Sequence, residues 1–528
     1  MKSSAFSAGL LSALVLASAS RAEDWPQWGG HAHRNMFSAE KGLPDRFDPG
    51  KLKKGTEEVD LETTKNVKWV SKLGSQSYGN ATIAGGKVFV GTNNDAPRNQ
   101  RDEGDRSIMM VFEEKTGKFL WQLVVPKLAS GKVNDWENLG LLSSPTVEGD
   151  RVYLVTSRCE IICLDVNGLS NGNQGFKDED QYFAGTGKPK VKVADTDADI
   201  IWVYDMIDQL AVFPHNASNC SVLIVGDTLF TCTSNGQDWT HSSIPSPHSP
   251  SFIALNKTTG EFMGEDDANI GQRIFHGQWS SPSTGMVNGR SLVFFGGGDG
   301  ICYAFDPKPV KAEDTSHLKK VWWFDCNPPD YRMKDGKPVR YPSAEGPSEI
   351  NSTPVFWKNR VYVAIGQDPE HGEGIGNLVC IDATKEGDIT KTAKIWSFNK
   401  INRSISTVSI TPDGLLFIGD FSGFVYCLNA ETGEHYWTHD MKAHMWGSTL
   451  VADGKVYVGD EDGDLVVLAA DKTKKVLSEA NLGAPVYSTP VVANGVLYIS
   501  SNTHLYAFYD QARAKAAGDQ PKAVDLKK

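Results

Sequence analysis

No run of about 18 uninterrupted apolar residues occurs in this 528-residue chain, and that lack excludes an ordinary membrane-spanning helix. Positive charge is also short: 53 Lys and Arg face 65 Asp and Glu, a net charge of −12. A nucleic-acid backbone needs clustered Lys and Arg, so no nucleic-acid partner is expected. Cysteine is scarce, with eight residues, none adjacent to another and none in a Cys-x-x-Cys-His haem motif. No His-Glu-x-x-His spacing or Ser-His-Asp arrangement points to hydrolysis. Long helix-period stretches are few as well, which leaves β structure as the way to use a chain too long for one ordinary layered domain.

What is abundant supports that reading. Fifty-one glycines and 14 tryptophans suit many tight turns between short strands. The phrase "FVYCLNAETGEHYW" (424–437) recurs in imperfect copies. Eight inner strands begin near Gly79, Ser143, Cys220, Ser280, Ser352, Ser406, Gly447 and Ser488. Each is followed by a hairpin such as "GGKVFVG" (85–91) or "DGKVYVG" (453–459), whose Gly, Asn and Asp supply positive φ. A third strand and a fourth complete each unit, the fourth often ending in tryptophan, though those of blades three (258–266) and seven (472–480) carry none. The eighth copy stops after three strands, near Tyr509, and its missing member is "NVKWVSKLG" (66–74). The sequence therefore predicts an all-β, eight-bladed β-propeller with four-stranded antiparallel blades, its ring closed by an N-terminal strand that removes open sheet edges.

The remaining organisation follows. Residues 1–22, with Lys2, an apolar stretch from Ala8 to Ala17 and Ser20-Arg21-Ala22, read as a cleaved signal peptide, so the protein is expected to be exported, periplasmic or secreted. Residues 23–62 form an N-terminal extension packed on the propeller, 63–510 the propeller, and 511–528 a flexible tail. Trp69, Trp121, Trp202, Trp323, Trp396 and Trp437 are expected to dock between neighbouring blades. Cys163, Cys302, Cys380 and Cys427 fall at equivalent places in different blades and are read as buried small hydrophobes. Cys220 and Cys232 flank one hairpin turn and could face each other, as a disulfide or as two thiols. The acidic stretches "GDEDGDLVV" (459–467) and "ADTDAD" (194–199) read as a strand turn and a solvated loop, and no metal site is expected.

The phrases "EEKTGKFLW" (113–121) and "NAETGEHYW" (429–437) resemble the tryptophan docking motif of pyrroloquinoline-quinone (PQQ)-type β-propellers of exported bacterial proteins, and "DWPQWGGHAHRNMFS" (24–38) resembles the start of many of them. One branch of that family comprises quinoprotein alcohol dehydrogenases, which hold the quinone beside Ca²⁺ against a disulfide of adjacent cysteines. Another comprises binding scaffolds such as the propeller lipoprotein of the outer-membrane β-barrel assembly machine. The missing Cys-Cys pair favours the scaffold branch, so no cofactor is firmly implied, PQQ with Ca²⁺ being the enzymatic alternative. The expected ligand surface is the channel mouth, where residues just before the inner strands gather: Tyr78, Asn219, Trp279, Asn351, Trp446 and Tyr487, with His215, His276 and His444 upstream. Their amide, imidazole and aromatic groups suit a protein partner, a flat polar ligand or a carbohydrate; plugging of the channel by the same side chains is the structural alternative. The propeller is expected to be monomeric.

Overall fold

The computed structural model describes residues 23–312, 315–370 and 375–516; the expected signal peptide and residues 517–528 lie outside them. Eight small antiparallel sheets make an eight-bladed propeller. Blade one comprises Thr82–Ala84, Lys87–Asn93, Arg106–Glu113 and Phe119–Pro126, and the following blades repeat that order. The eighth blade takes its outer strand from the other end of the chain: Val67–Lys72 pairs with His504–Phe508, Trp69 opposite Ala507. Ring closure is thus the one the sequence predicts. Two insertions enlarge blades, since Ser316–Leu318 adds to the outer edge of blade three and Gly387–Asp388 to that of blade four.

The core lies between blades. Phe252 of blade three stacks on Phe295 of blade four at 4.8 Å between centroids, and both are fully buried. Tryptophans docked on the next blade repeat this seal. The indole N–H of Trp69 donates to the Glu114 carbonyl, Trp202 to Lys257, Trp396 to Ala430 and Trp437 to Asp471, at 2.9 to 3.2 Å. Each accepting residue lies at the outer turn of the following blade. That explains the glycine of the repeated Thr-Gly turn: Gly433, at φ +76°, lies so close to Trp396 that a Cβ would come within 2.8 Å of the indole.

Blade four departs from the expectation. Trp322, not Trp323, holds the docking register: it pairs with Ala304 just before a β-bulge, as Trp396 pairs with Cys380 before the bulge of blade five. Trp322 is fully buried, whereas Trp323 is half-buried with the Lys320 ammonium 4.5 Å from its ring. One residue along a strand exchanges the two faces.

A second ring of contacts explains the Ser-Ser/Thr-Pro signature of the inner strands. The backbone N–H of Asn80 donates to Ser144 Oγ, Ser144 to Ser221, Ser221 to Ser281, Thr353 to Thr407, Thr407 to Ser448 and Ser448 to Thr489, and the N–H of Thr489 returns to Asn80 Oδ1. At seven of the eight junctions one blade so satisfies the exposed edge of its neighbour's inner strand; among the described residues no such bond joins Ser281 to Thr353.

The far ends of the inner strands close around the N-terminal extension. Trp25 bridges Ile83 of blade one, the Pro26 carbonyl accepts from Val147, and those of Ala32 and His33 accept from Thr284 and Phe356. Asn35 exchanges hydrogen bonds with Ile410, Phe37–Ser38 runs parallel to Val451 and Ala452, and Glu40 accepts from the backbone of Asn494 and Gly495. Arg34 sits at the centre with no exposure, donating to the carbonyls of Val222, Pro282 and Trp28 and to Gln27 Oε1. Burial drags its guanidinium down to about 9. The Asn494 amide of blade eight also donates to Asp24 Oδ1, so the segment "DWPQWGGHAHRNMFS" touches all eight blades and stops one end of the channel.

Other expectations need correction. All eight cysteines are buried free thiols. The Cys232 N–H donates to Cys220 Sγ at 3.3 Å, yet the two are not bridged. The register Leu223↔Phe230 extends to place residue 233, not Cys232, opposite Cys220, and the Cys232 thiol also contacts the Gln278 carbonyl at 3.4 Å. The stretch at 194–199 is no solvated loop: Asp197 and Asp199 are buried, the former paired with Arg101 and the latter accepting from the Gln174 N–H. Gln511–Ala516 forms a short helix at the start of the expected flexible tail.

Candidate functional site

The starts of the inner strands face the mouth opposite the stopper, and on one side of it three of the expected residues meet. Tyr78 stacks on Tyr487 at 4.7 Å, and both lie against Trp446, at 5.8 and 5.4 Å. Glu461, unforeseen from the sequence, holds them together: its two carboxylate oxygens accept from the Trp446 indole and the Tyr487 hydroxyl, each at 3.4 Å. Burial, then the neighbouring Glu461 and Glu370 charges, pushes Tyr487 up to about 12, so it remains a phenol and a donor. Phe421 completes the wall, edge-on to Trp446 at 5.1 Å, with the Arg403 guanidinium 4.6 Å from its ring. His444 stacks on Phe421 and borders a cleft of about 240 Å³ lined by Lys442, Glu461 and Asp462.

The other expected residues lie on blades three to five. Trp279 donates its indole N–H to the Ala217 carbonyl and meets the His276 ring edge-on at 5.3 Å. Beside it Tyr341 donates to Glu349 Oε1 at 3.1 Å, and that oxygen also receives the Asp368 N–H and the more distant Asn351 amide. Glu349 is fully buried, and burial, reinforced by the Asp368 charge, pushes its carboxyl up to about 8. Asn219 Oδ1 and Asn351 Oδ1 are buried acceptors without a partner among the described residues. Seven of the nine expected mouth residues therefore fall into two clusters: Tyr78, Trp446, Tyr487 and His444, and His215, His276 and Trp279. Asn351 reaches the second through its amide contact with Glu349, and Asn219 belongs to neither by ring contact.

That second cluster contains what the sequence reading missed. His215 and His276 are joined by His241, from the insertion at 233–250, with ring nitrogens that all lie within 4.8 Å of one another. Three imidazoles with the spacing to hold a metal ion therefore meet where no metal site was expected. Its members are 26 and 61 residues apart, with no recognisable metal spacing. The only available signal was the pair of histidines preceding successive inner strands.

A family profile described as outer membrane protein assembly factor BamB matches residues 58–306 and, in overlapping copies, 337–438, 388–477 and 421–517. The chain belongs to this family of PQQ-repeat propellers. Solved structures agree on the fold. BamB from Moraxella catarrhalis superposes with a TM-score of 0.50 at 16% identity, covering 84% of this chain and 97% of its own. A europium-containing methanol dehydrogenase superposes with a TM-score of 0.59 at 12% identity, covering 92% and 98%. No curated protein sequence matches significantly. The part of this PQQ-repeat propeller between 306 and 337, outside the family match, contains the strands added to the edge of blade three.

Proposed function

We propose that this PQQ-repeat propeller is an exported, non-catalytic scaffold whose open mouth holds a partner protein through a cationic segment. The observation that carries the reading is the half-buried cluster of Tyr78, Trp446 and Tyr487 around Glu461. Aromatic faces beside a carboxylate suit a lysine or arginine: the charge meets Glu461 while the rings attract the cation and cover its alkyl stem. The family's description as an assembly factor supports the same reading. Export rests on the composition of residues 1–22. Among the described residues, no helix is long and apolar enough to cross a membrane.

The alternative is PQQ with Ca²⁺, raised by the likeness to a dehydrogenase. The residues do not fit it. Tyr78 and Tyr487 stack on each other at the mouth, and the pair of adjacent cysteines that the dehydrogenase branch sets against the quinone is absent. A carbohydrate would use the same aromatic wall without needing Glu461. Tryptophan fluorescence separates the three. Saturable quenching by a short Lys/Arg peptide, lost in both Trp446→Ala and Glu461→Gln, supports the scaffold. Quenching by the quinone with dye-linked alcohol oxidation overturns it. Quenching by an oligosaccharide that survives Glu461→Gln moves the assignment to carbohydrate.

A further inference from the structure

Three segments far apart in sequence bring one imidazole each to the same point. His215 precedes the inner strand of blade three, His276 precedes that of blade four, and His241 projects from the loop between the second and third strands of blade three. His215 Nε2 lies 2.7 Å from His276 Nε2 and 3.2 Å from His241 Nε2. His215 and His276 are fully buried and His241 partly so.

The hydrogen bonding determines what these nitrogens offer. His215 Nδ1 lies 2.7 Å from the Gln237 carbonyl, which can only accept, so Nδ1 carries the proton and Nε2 presents its lone pair. Two further Nε2 atoms approach that single lone pair. A single cation would accept a lone pair from all three. Zn–N bonds of about 2.0–2.1 Å in a tetrahedron put ligand nitrogens about 3.3 Å apart, so the observed spacings need only a small opening. The carbonyl behind His215 is also the kind of partner that orients a metal-binding imidazole and fixes its tautomer.

The surroundings hold this arrangement in place. Gly236 packs so tightly between the two buried histidines that a Cβ would come within 2.6 Å of His215 Cβ and 2.7 Å of the His276 carbonyl. His241 adopts φ +52°, a left-handed conformation unusual for a residue with a side chain. Its loop is tied off by Asp238, which accepts from the Thr240 and Ser243 hydroxyls, each at 2.7 Å. Trp279 and Tyr341 lie against the His276 ring.

We propose that His215, His241 and His276 bind one divalent transition-metal ion of the zinc or copper class. Three neutral nitrogen donors and no carboxylate in the set suit these borderline ions and not Mg²⁺ or Ca²⁺. Three imidazoles also leave a position of a tetrahedral ion for water or a ligand at the mouth.

The test uses untagged full-length protein, stripped with chelator and titrated with Zn²⁺ by calorimetry, and with Co²⁺ by visible absorption. One equivalent bound with the d–d bands of tetrahedral cobalt, and affinity falling about tenfold or more in His241→Ala, is the expected result. His241 is the least buried ligand; an unchanged melting temperature of metal-free His241→Ala shows that the variant folds. His276→Gln, a second ligand removal, should weaken binding similarly. Zn²⁺ should raise the melting temperature of the parent protein and leave that of His241→Ala unmoved. No stoichiometric binding, or equal affinity in His241→Ala, overturns the proposal and leaves the three rings as a hydrogen-bonded cluster.

Discussion

Gly117 of blade one lies against the indole of Trp69 of blade eight, so that a Cβ on the glycine would come within 2.6 Å of the ring. This contact seals the junction where the two ends of the propeller meet, and Trp69 also donates to the Glu114 carbonyl there. Gly117→Ala should therefore cost more than Gly149→Ala, which has a similar positive φ but nothing within 4 Å of its Cβ. The strained backbone alone accounts for about 1 kcal/mol in both. The extra loss in Gly117→Ala, read by thermal melting, measures the closure contact. Trp69→Ala should cost about 3–5 kcal/mol.

Arg34 joins the stopper to blades three and four without a carboxylate among its hydrogen-bond partners. Arg34→Ala should destabilise the fold by on the order of 3–5 kcal/mol by stranding buried acceptors. Arg34→Lys should recover little, because a point charge cannot reach several divergent carbonyls. Chemical denaturation of the two variants checks both statements.

Trp322→Ala and Trp323→Ala form a matched pair. The first opens a cavity between blades four and five and should cost about 3–5 kcal/mol. The second removes a half-buried ring beside Lys320 and should cost much less, on the order of 1 kcal/mol. Equal losses would contradict the register assigned to blade four.

Glu349 titrates at about 8 in the fold against 4.5 as its ordinary value. The folded state therefore holds a proton that the unfolded chain has released, and stability falls as pH rises from about 4.5 to 8. Glu349→Gln keeps an acceptor for Tyr341 and for the Asp368 N–H without the ionisable group. Its stability relative to the parent should rise between pH 5 and pH 8, by a few kcal/mol at most. A difference independent of pH would show that Glu349 is not the titrating group.

The cysteines give a chemical check. Eight thiols per chain should react with a thiol reagent in denaturant whether or not reductant was present, and few before unfolding, because all eight are buried. Six in the absence of reductant would signify a disulfide, with Cys220–Cys232 the first pair to examine.

The repeat, the eight blades, the strand borrowed from residues 66–74 and the Trp-to-turn docking were legible in the sequence, because alternation, turn glycines and tryptophan spacing act within a few residues of one another. Blade four shows where that reading stops. "VWW" offers two tryptophans, and only the bulge beside Ala304 decides which faces the next blade. The segment at 24–38 was recognisable by resemblance, but its contacts with all eight blades exist only once the ring has closed. The mouth followed the same division. Positions before inner strands pointed to Tyr78, Trp446 and Tyr487, while Glu461 and His241 come from the connections between second and third strands, whose lengths vary from blade to blade. Sequence alone determined the repeating unit and its closure, since those depend on local periodicity. Which side chains meet at the mouth was decided by tertiary structure, because their distances depend on how loops from different blades converge over one axis.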